Sequence, residues 1–207
     1  MTMISRIFLS LILLLGLTTT AQDQTPTQIV CLGDSLTAGY GVNETQAWPH
    51  LLQLKLTEAK INAKIINAGT SGNTSAGGLR KLPWLFKKSV DVLILALGAN
   101  DGLRGIDTKS THSNLKKIIL AAQKKQPNIK IILAGMKVPP NMGQKFSSDF
   151  EAIFTQLTKE HNCTLIPFLL ENVAGEQKLN LSDGIHPNPA GHKIISENVW
   201  KHLKELI

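Results

Sequence analysis

Residues 90–102 read VDVLILALGANDG. From Val92 to Leu97 six apolar residues follow one another without polar alternation, the pattern of a strand covered on both faces. Gly98 and Gly102 close the run, and Asn100 and Asp101 between them are turn-forming residues. A strand of this kind belongs inside a parallel sheet between two layers of helix. Short apolar runs at 28–32, 64–67, 130–134 and 164–167 supply four further strands beside 90–97. Longer amphipathic stretches near 46–60, 75–88, 110–126, 144–161 and 189–206 supply helices. In the fourth of these, Phe146, Phe150, Ile153, Phe154 and Leu157 recur at helical spacing and form a core stripe. The last opens on Asn188 as N-cap and Pro189 as first helical residue. The expected fold is a single α/β domain: a five-stranded parallel sheet, helices on both faces, right-handed crossovers.

Ligands of such sheets bind beyond the carboxyl ends of the strands, so the segments just past the strands matter most. After the first strand comes GDSLTAG at 33–39, after the second AGTSGNT at 68–74, after the third GANDG at 98–102. Before the last helix stands DGIHP at 183–187. These segments bring a hydroxyl, an amide, a carboxylate and an imidazole to one face of the sheet, and acyl transfer needs those parts. A serine hydroxyl needs a neighbouring base to take its proton. A histidine can take that proton and return it to a leaving group. An aspartate sets the imidazole tautomer, and preorganised N–H donors stabilise the oxyanion. Singly each residue has a plainer reading: Ser35 as an N-cap, Asn100 as a turn former, Gly72 as a positive-φ residue, His186 as one of six histidines. Asp34 and Asp101 read as loop braces. The ordered joint occurrence carries the argument.

The 207 residues are 43% hydrophobic and 18% charged, enough for a sizeable core and incompatible with a disordered chain. An aromatic content of 5% disfavours a nucleic-acid reader built on base stacking. The net charge of +7 is spread as short lysine pairs (87–88, 116–117, 124–125), which read as solvated helix faces. At the start, Arg6 precedes an eleven-residue apolar run, 7–17, with small polar residues after it. A spanning helix needs about 20 apolar residues, so residues 1–21 read as a signal peptide cleaved after Ala21, with the domain at 22–207. The exported chain has no stable membrane insertion. Cys31 and Cys163 read as buried free thiols.

The four blocks together resemble the SGNH hydrolases of the GDSL type. Residues 99–105 (ANDGLRG) and 183–188 (DGIHPN) look most like the bacterial periplasmic esterases with thioesterase and lysophospholipase activity, and related arylesterases. Ala99 stands where close relatives often carry Gly. The resemblance implies a flavodoxin-like three-layer α/β/α sandwich; the expected enzyme is a monomer exported to the periplasm, with secretion as the alternative. It implies Ser35 as nucleophile, His186 as acid and base, and Asp183 as its orienting partner. Ser35 and Gly72 N–H and the Asn100 amide become the oxyanion hole. It also places the loop 136–143 beside the acyl groove, with Val138 and Met142, and Leu103 from the third block, as substrate contacts. Arg104 reads either as a pocket residue or as a salt-bridge residue.

The expected activity is hydrolysis of acyl esters and thioesters, including aryl esters and lysophospholipids; the alternative is a carbohydrate O-deacetylase with the same machinery. The elbow G-x-S-x-G fails at Thr37. There is no P-loop, no G-x-G-x-x-G and no H-E-x-x-H, so the expectation is an enzyme with no cofactor, no metal and no nucleic-acid partner.

Overall fold

Five strands pair in parallel in the computed structural model, which describes residues 25–207: β1 (Thr27–Gly33), β2 (Ala63–Asn67), β3 (Val92–Ala96), β4 (Lys130–Ala134) and β5 (Thr164–Ile166). The expected leader, 1–21, lies outside the described residues. The order β2-β1-β3-β4-β5 is that of flavodoxin-like sheets, with the switch point between β1 and β3. Register sets Val30 beside Leu93, Ile94 beside Ile132 and Leu133 beside Leu165. All five residues of β3 are buried, as its unbroken apolar run requires.

Among the described residues seven α-helices accompany the strands: α1 (Ser35–Ala38), α2 (Trp48–Glu58), α3 (Ser75–Leu85), α4 (Ala99–Leu103), α5 (Thr108–Lys125), α6 (Gln144–His161) and α7 (Pro189–Leu203). α3, α5 and α6 pack side by side in one layer and α2 packs with α7 in the other, giving three layers. The aromatic stripe of α6 is core: Phe150 and Phe154 are buried, with ring centroids 5.6 Å apart. Two elements differ from the sequence reading. α1 and α4 form where loops are expected, because four and five residues are too few to show a 3.6-residue period. The second stretch stops at Leu85 instead of 88, with Pro83, whose ring removes a helical donor, in its last turn.

Both cysteines are free; Cys31 is buried in β1 and Cys163 only half-buried. Among the described residues no helix is long and apolar enough to cross a membrane.

His192 ties the second layer together. The first N–H of α2, on Trp48, has no acceptor in its own helix and donates to His192 Nδ1 of α7 at 3.3 Å. Burial pushes the imidazole down to about pH 4, with the neighbouring His186 adding to the effect. The unfolded chain takes up this proton near the ordinary histidine value and the folded one near pH 4. Between them the unfolded state holds more protons, so this contribution is complete above about pH 6.5 and is lost as pH falls to 4. Its full size is about 3 kcal/mol. The denaturant stability of the wild type minus that of His192→Asn is therefore expected to shrink by up to that amount between pH 7 and pH 4. An unchanged difference would mean that the imidazole is not held neutral.

Candidate active site

Ser35 stands at the first position of α1, immediately beyond the carboxyl end of β1. Asp34 caps this short helix: its Oδ1 accepts the Leu36 N–H at 3.0 Å while Oδ2 is buried without a partner. Burial pushes Asp34 up to about 6, partly offset by the Leu36 bond and the attraction of His186. Its sign is opposite to that of His192, since the folded carboxyl takes its proton before the unfolded one does. The bracing role expected for Asp34 is its observed geometry.

Asp183 and His186 lie on the turn before α7. Asp183 Oδ1 accepts the backbone N–H groups of Ile185 and His186, each at 2.9 Å. Its Oδ2 receives His186 Nδ1–H at 2.7 Å. These three bonds, that of the His186 backbone foremost, hold the carboxyl at about pH 2 and so ionised across the neutral range. An ionised acceptor at Nδ1 puts the imidazole proton there and leaves the Nε2 lone pair free. The Ser35 hydroxyl lies 3.0 Å from that nitrogen. Residues 151 apart in sequence thus meet in a carboxylate–imidazole–hydroxyl chain.

Gly72 and Asn100 approach from the neighbouring strand ends. The loop after β2 packs directly on α1: a methyl group on Gly69 would stand 2.3 Å from the Ala38 nitrogen, so only glycine permits this approach. Gly72 takes φ +74°, the left-handed region. Asn100, on α4, donates through Nδ2 to the Asn73 carbonyl at 3.0 Å. Arg104, one turn later, donates through Nη2 to the Gly72 carbonyl at 3.0 Å and to Asn100 Oδ1 at 3.3 Å. A guanidinium can only donate, so it holds the oxygen of Asn100 to itself and turns the amide nitrogen the other way. Asp101 anchors α4 from below: it is buried and accepts the Ser75 N–H at 2.8 Å, the Ser75 hydroxyl at 2.5 Å and the Thr111 hydroxyl at 3.3 Å.

Arg104 thus makes no salt bridge among the described residues; its partners are an amide and a carbonyl beside the site. Tyr40 carries no motif that marks it in the sequence. It is the chain's one tyrosine, and its ring lies 4.5 Å from that of His186, tilted by 41°. Its position just past Gly39, a left-handed helix cap that turns the chain back toward the site, is the one local signal for it.

Leu103 is exposed on α4. Val138 and Met142 flank the same segment, since a methyl group on Gly102 would meet Val138 Cγ1 at 2.5 Å and one on Gly105 would meet Met142 Cε at 3.8 Å. Six large apolar side chains are exposed among the described residues, and three of them, Tyr40, Leu103 and Ile185, border Ser35, Asn100 and His186 in sequence. No group of three or more metal-ligating side chains is clustered among the described residues.

Residues 31–194 match the model of the GDSL-like lipase/acylhydrolase family. Esterase TesA of Pseudomonas aeruginosa is 35% identical over 194 residues, covering 93% of this chain and 96% of that protein. Thioesterase 1/protease 1/lysophospholipase L1 of Escherichia coli is 36% identical over 180 residues, 86% of this chain and 84% of that one. The crystal structure of the psychrotrophic esterase EstA from Pseudoalteromonas sp., inhibited by monoethylphosphonate, superposes with a TM-score of 0.82 at 34% identity, covering 87% of this chain and 98% of that one.

Proposed function

The chain belongs to the GDSL-like lipase/acylhydrolase family and is an ester hydrolase, and we propose that Ser35, His186 and Asp183 carry out its acyl transfer. The observation that carries the reading is the continuous relay from Asp183 Oδ2 through His186 to Ser35 Oγ. In the first half-reaction Oγ attacks the ester carbonyl carbon as its proton passes to Nε2. Collapse of the tetrahedral adduct expels the alcohol, which takes that proton, and leaves the acyl group on Ser35. A water then gives its proton to Nε2 and its oxygen to the acyl carbon, releasing the acid and restoring the serine. Asp183, ionised throughout, keeps Nδ1 protonated and balances the imidazolium charge. The Ser35 and Gly72 N–H groups and the Asn100 amide form the oxyanion hole, with Arg104 holding the last two in place.

The substrates are medium- and long-chain acyl esters, with aryl esters, lysophospholipids and acyl thioesters in the same class. The apolar rim of Tyr40, Leu103 and Ile185 and the flanking Val138 and Met142 support this over a carbohydrate O-deacetylase, whose acetyl group would need no such surface. The names of the relatives point the same way. The enzyme is a monomer exported to the periplasm once residues 1–21 are removed. The test is hydrolysis of p-nitrophenyl esters from C2 to C16. With part of the chain buried on this rim, kcat/KM is expected to rise about 10- to 100-fold from C2 to C8. A maximum at C2 would instead favour the deacetylase.

A further inference from the structure

Nine of the chain's 22 lysines and arginines, and none of its 15 carboxylates, fall in residues 75–90 and 108–126. These are α3, α5 and the residues just after them, neighbours in one helix layer. Their register is set by two contacts. The Asn114 side chain donates to the Ser75 hydroxyl at 3.1 Å, and a methyl group on Gly78 would meet Ile118 Cδ1 at 3.5 Å. Both helices run back from carboxyl to amino ends of parallel strands, so residue numbers rise together: Arg80 lies level with Leu120, and Trp84 with Lys124.

The outer face takes shape from that register. Arg80 and Trp84 on α3 and Lys87–Lys88 just past its end are exposed, and along α5 Lys117, Leu120 and Lys124 are exposed at helical spacing. Trp84 is 60% exposed and Leu120 46%, whereas Trp48, the tryptophan of α2, is buried completely. Two cations of the layer are engaged elsewhere, Lys116 with Glu160 and Lys81 with the Thr70 hydroxyl. Arg80, Lys87, Lys88, Lys117, Lys124 and Lys125 have no carboxylate partner among the described residues.

We propose that the outer face of α3 and α5 docks the protein on anionic phospholipid bilayers, with Trp84 and Leu120 seated at headgroup level among the cations. Clustered cations are drawn to the negative surface of such a bilayer, and an indole prefers its interface to water or hydrocarbon. A solvated face would need neither an exposed indole nor six cations without a carboxylate partner. Trp84 lies nine residues along α3 from Ser75, about 14 Å from the end that contacts Asp101. The face therefore descends from the site without covering it, and docking leaves Ser35 accessible.

The test uses protein lacking residues 1–21, because their apolar run would bind lipid by itself; all the described secondary structure lies beyond them. Binding is measured by co-sedimentation with vesicles of 30% phosphatidylglycerol in phosphatidylcholine and of phosphatidylcholine alone. The expected results are at least tenfold tighter binding to the anionic vesicles, lost in 0.5 M salt. Lys87→Glu/Lys88→Glu loses at least tenfold, and Trp84→Ala several-fold. Reversing Lys193 and Lys201 to Glu, exposed on α7 in the opposite layer, changes net charge equally and leaves binding within about twofold. Equal binding to both vesicles, or an equal loss with the α7 pair, overturns the proposal. Binding to duplex DNA as tight as to the anionic vesicles overturns it too, in favour of a general polyanion surface. Hydrolysis of a soluble short ester is unchanged in Lys87→Glu/Lys88→Glu, so failure here leaves the catalytic reading untouched.

Discussion

Ser35→Ala is expected to lower kcat for a p-nitrophenyl ester by about 10⁵–10⁶-fold, His186→Ala by a similar factor, and the double variant by no more than either alone. The reason is that the two groups act as one unit. Without the imidazole the hydroxyl keeps its proton and is a poor nucleophile; without the hydroxyl the imidazole has no proton to take. Asp183→Asn separates geometry from charge. It preserves the shape of the turn, but its amide can donate to Nδ1, which favours the tautomer with the proton on Nε2, facing Ser35. The expected loss is about 10⁴-fold in kcat, with a smaller effect on KM. A fluorophosphonate that labels the wild type at one residue, read by intact mass, should leave Ser35→Ala unlabelled. Activity in Ser35→Ala within tenfold of wild type, or losses for Ser35 and His186 that multiply in the double variant, would sink the assignment.

The parts of this site that are legible in the sequence are those that a parallel sheet gathers by its topology. The unbroken run of β3 predicts burial on both faces, and burial predicts two helix layers. That architecture sends every strand's carboxyl end to one side, so Ser35, Gly72 and Asn100 are brought together before any distance is known. Asp183 and His186 belong to the same pattern through their place before α7. The residues that sequence reasoning misses depend on contacts with no sequence period. Arg104 reaches Asn100 only because residues 99–103 coil into one short helix, and it reaches Gly72 only because the loop after β2 folds against that helix. Tyr40 meets His186 across 146 residues through a reversal at Gly39. The basic face is hidden for the same reason: lysine pairs in separate helices look solvated until packing sets α3 beside α5.

Asn100→Ala is expected to lower kcat by about 10²–10³-fold with KM within a few-fold, because an oxyanion donor acts mainly on charge that develops after binding. Arg104 is a positioning residue in this scheme, and its variants report how the donors are held. Arg104→Gln removes the charge and the Nη2 donor, freeing the Asn100 amide to rotate and the Gly72 peptide to relax; a loss of about tenfold in kcat with KM nearly constant is expected. Arg104→Lys recovers part of it, since one ammonium can satisfy either acceptor but cannot match the planar guanidinium geometry. The side chain is exposed, so neither variant should move Tm by more than a few degrees. In the double variant Asn100→Ala/Arg104→Gln, any loss beyond that of Asn100→Ala measures the share that Arg104 exerts through Gly72. If Arg104→Gln lowers Tm sharply, or raises KM with kcat intact, Arg104 serves folding or substrate binding and the oxyanion hole is held by α4 alone.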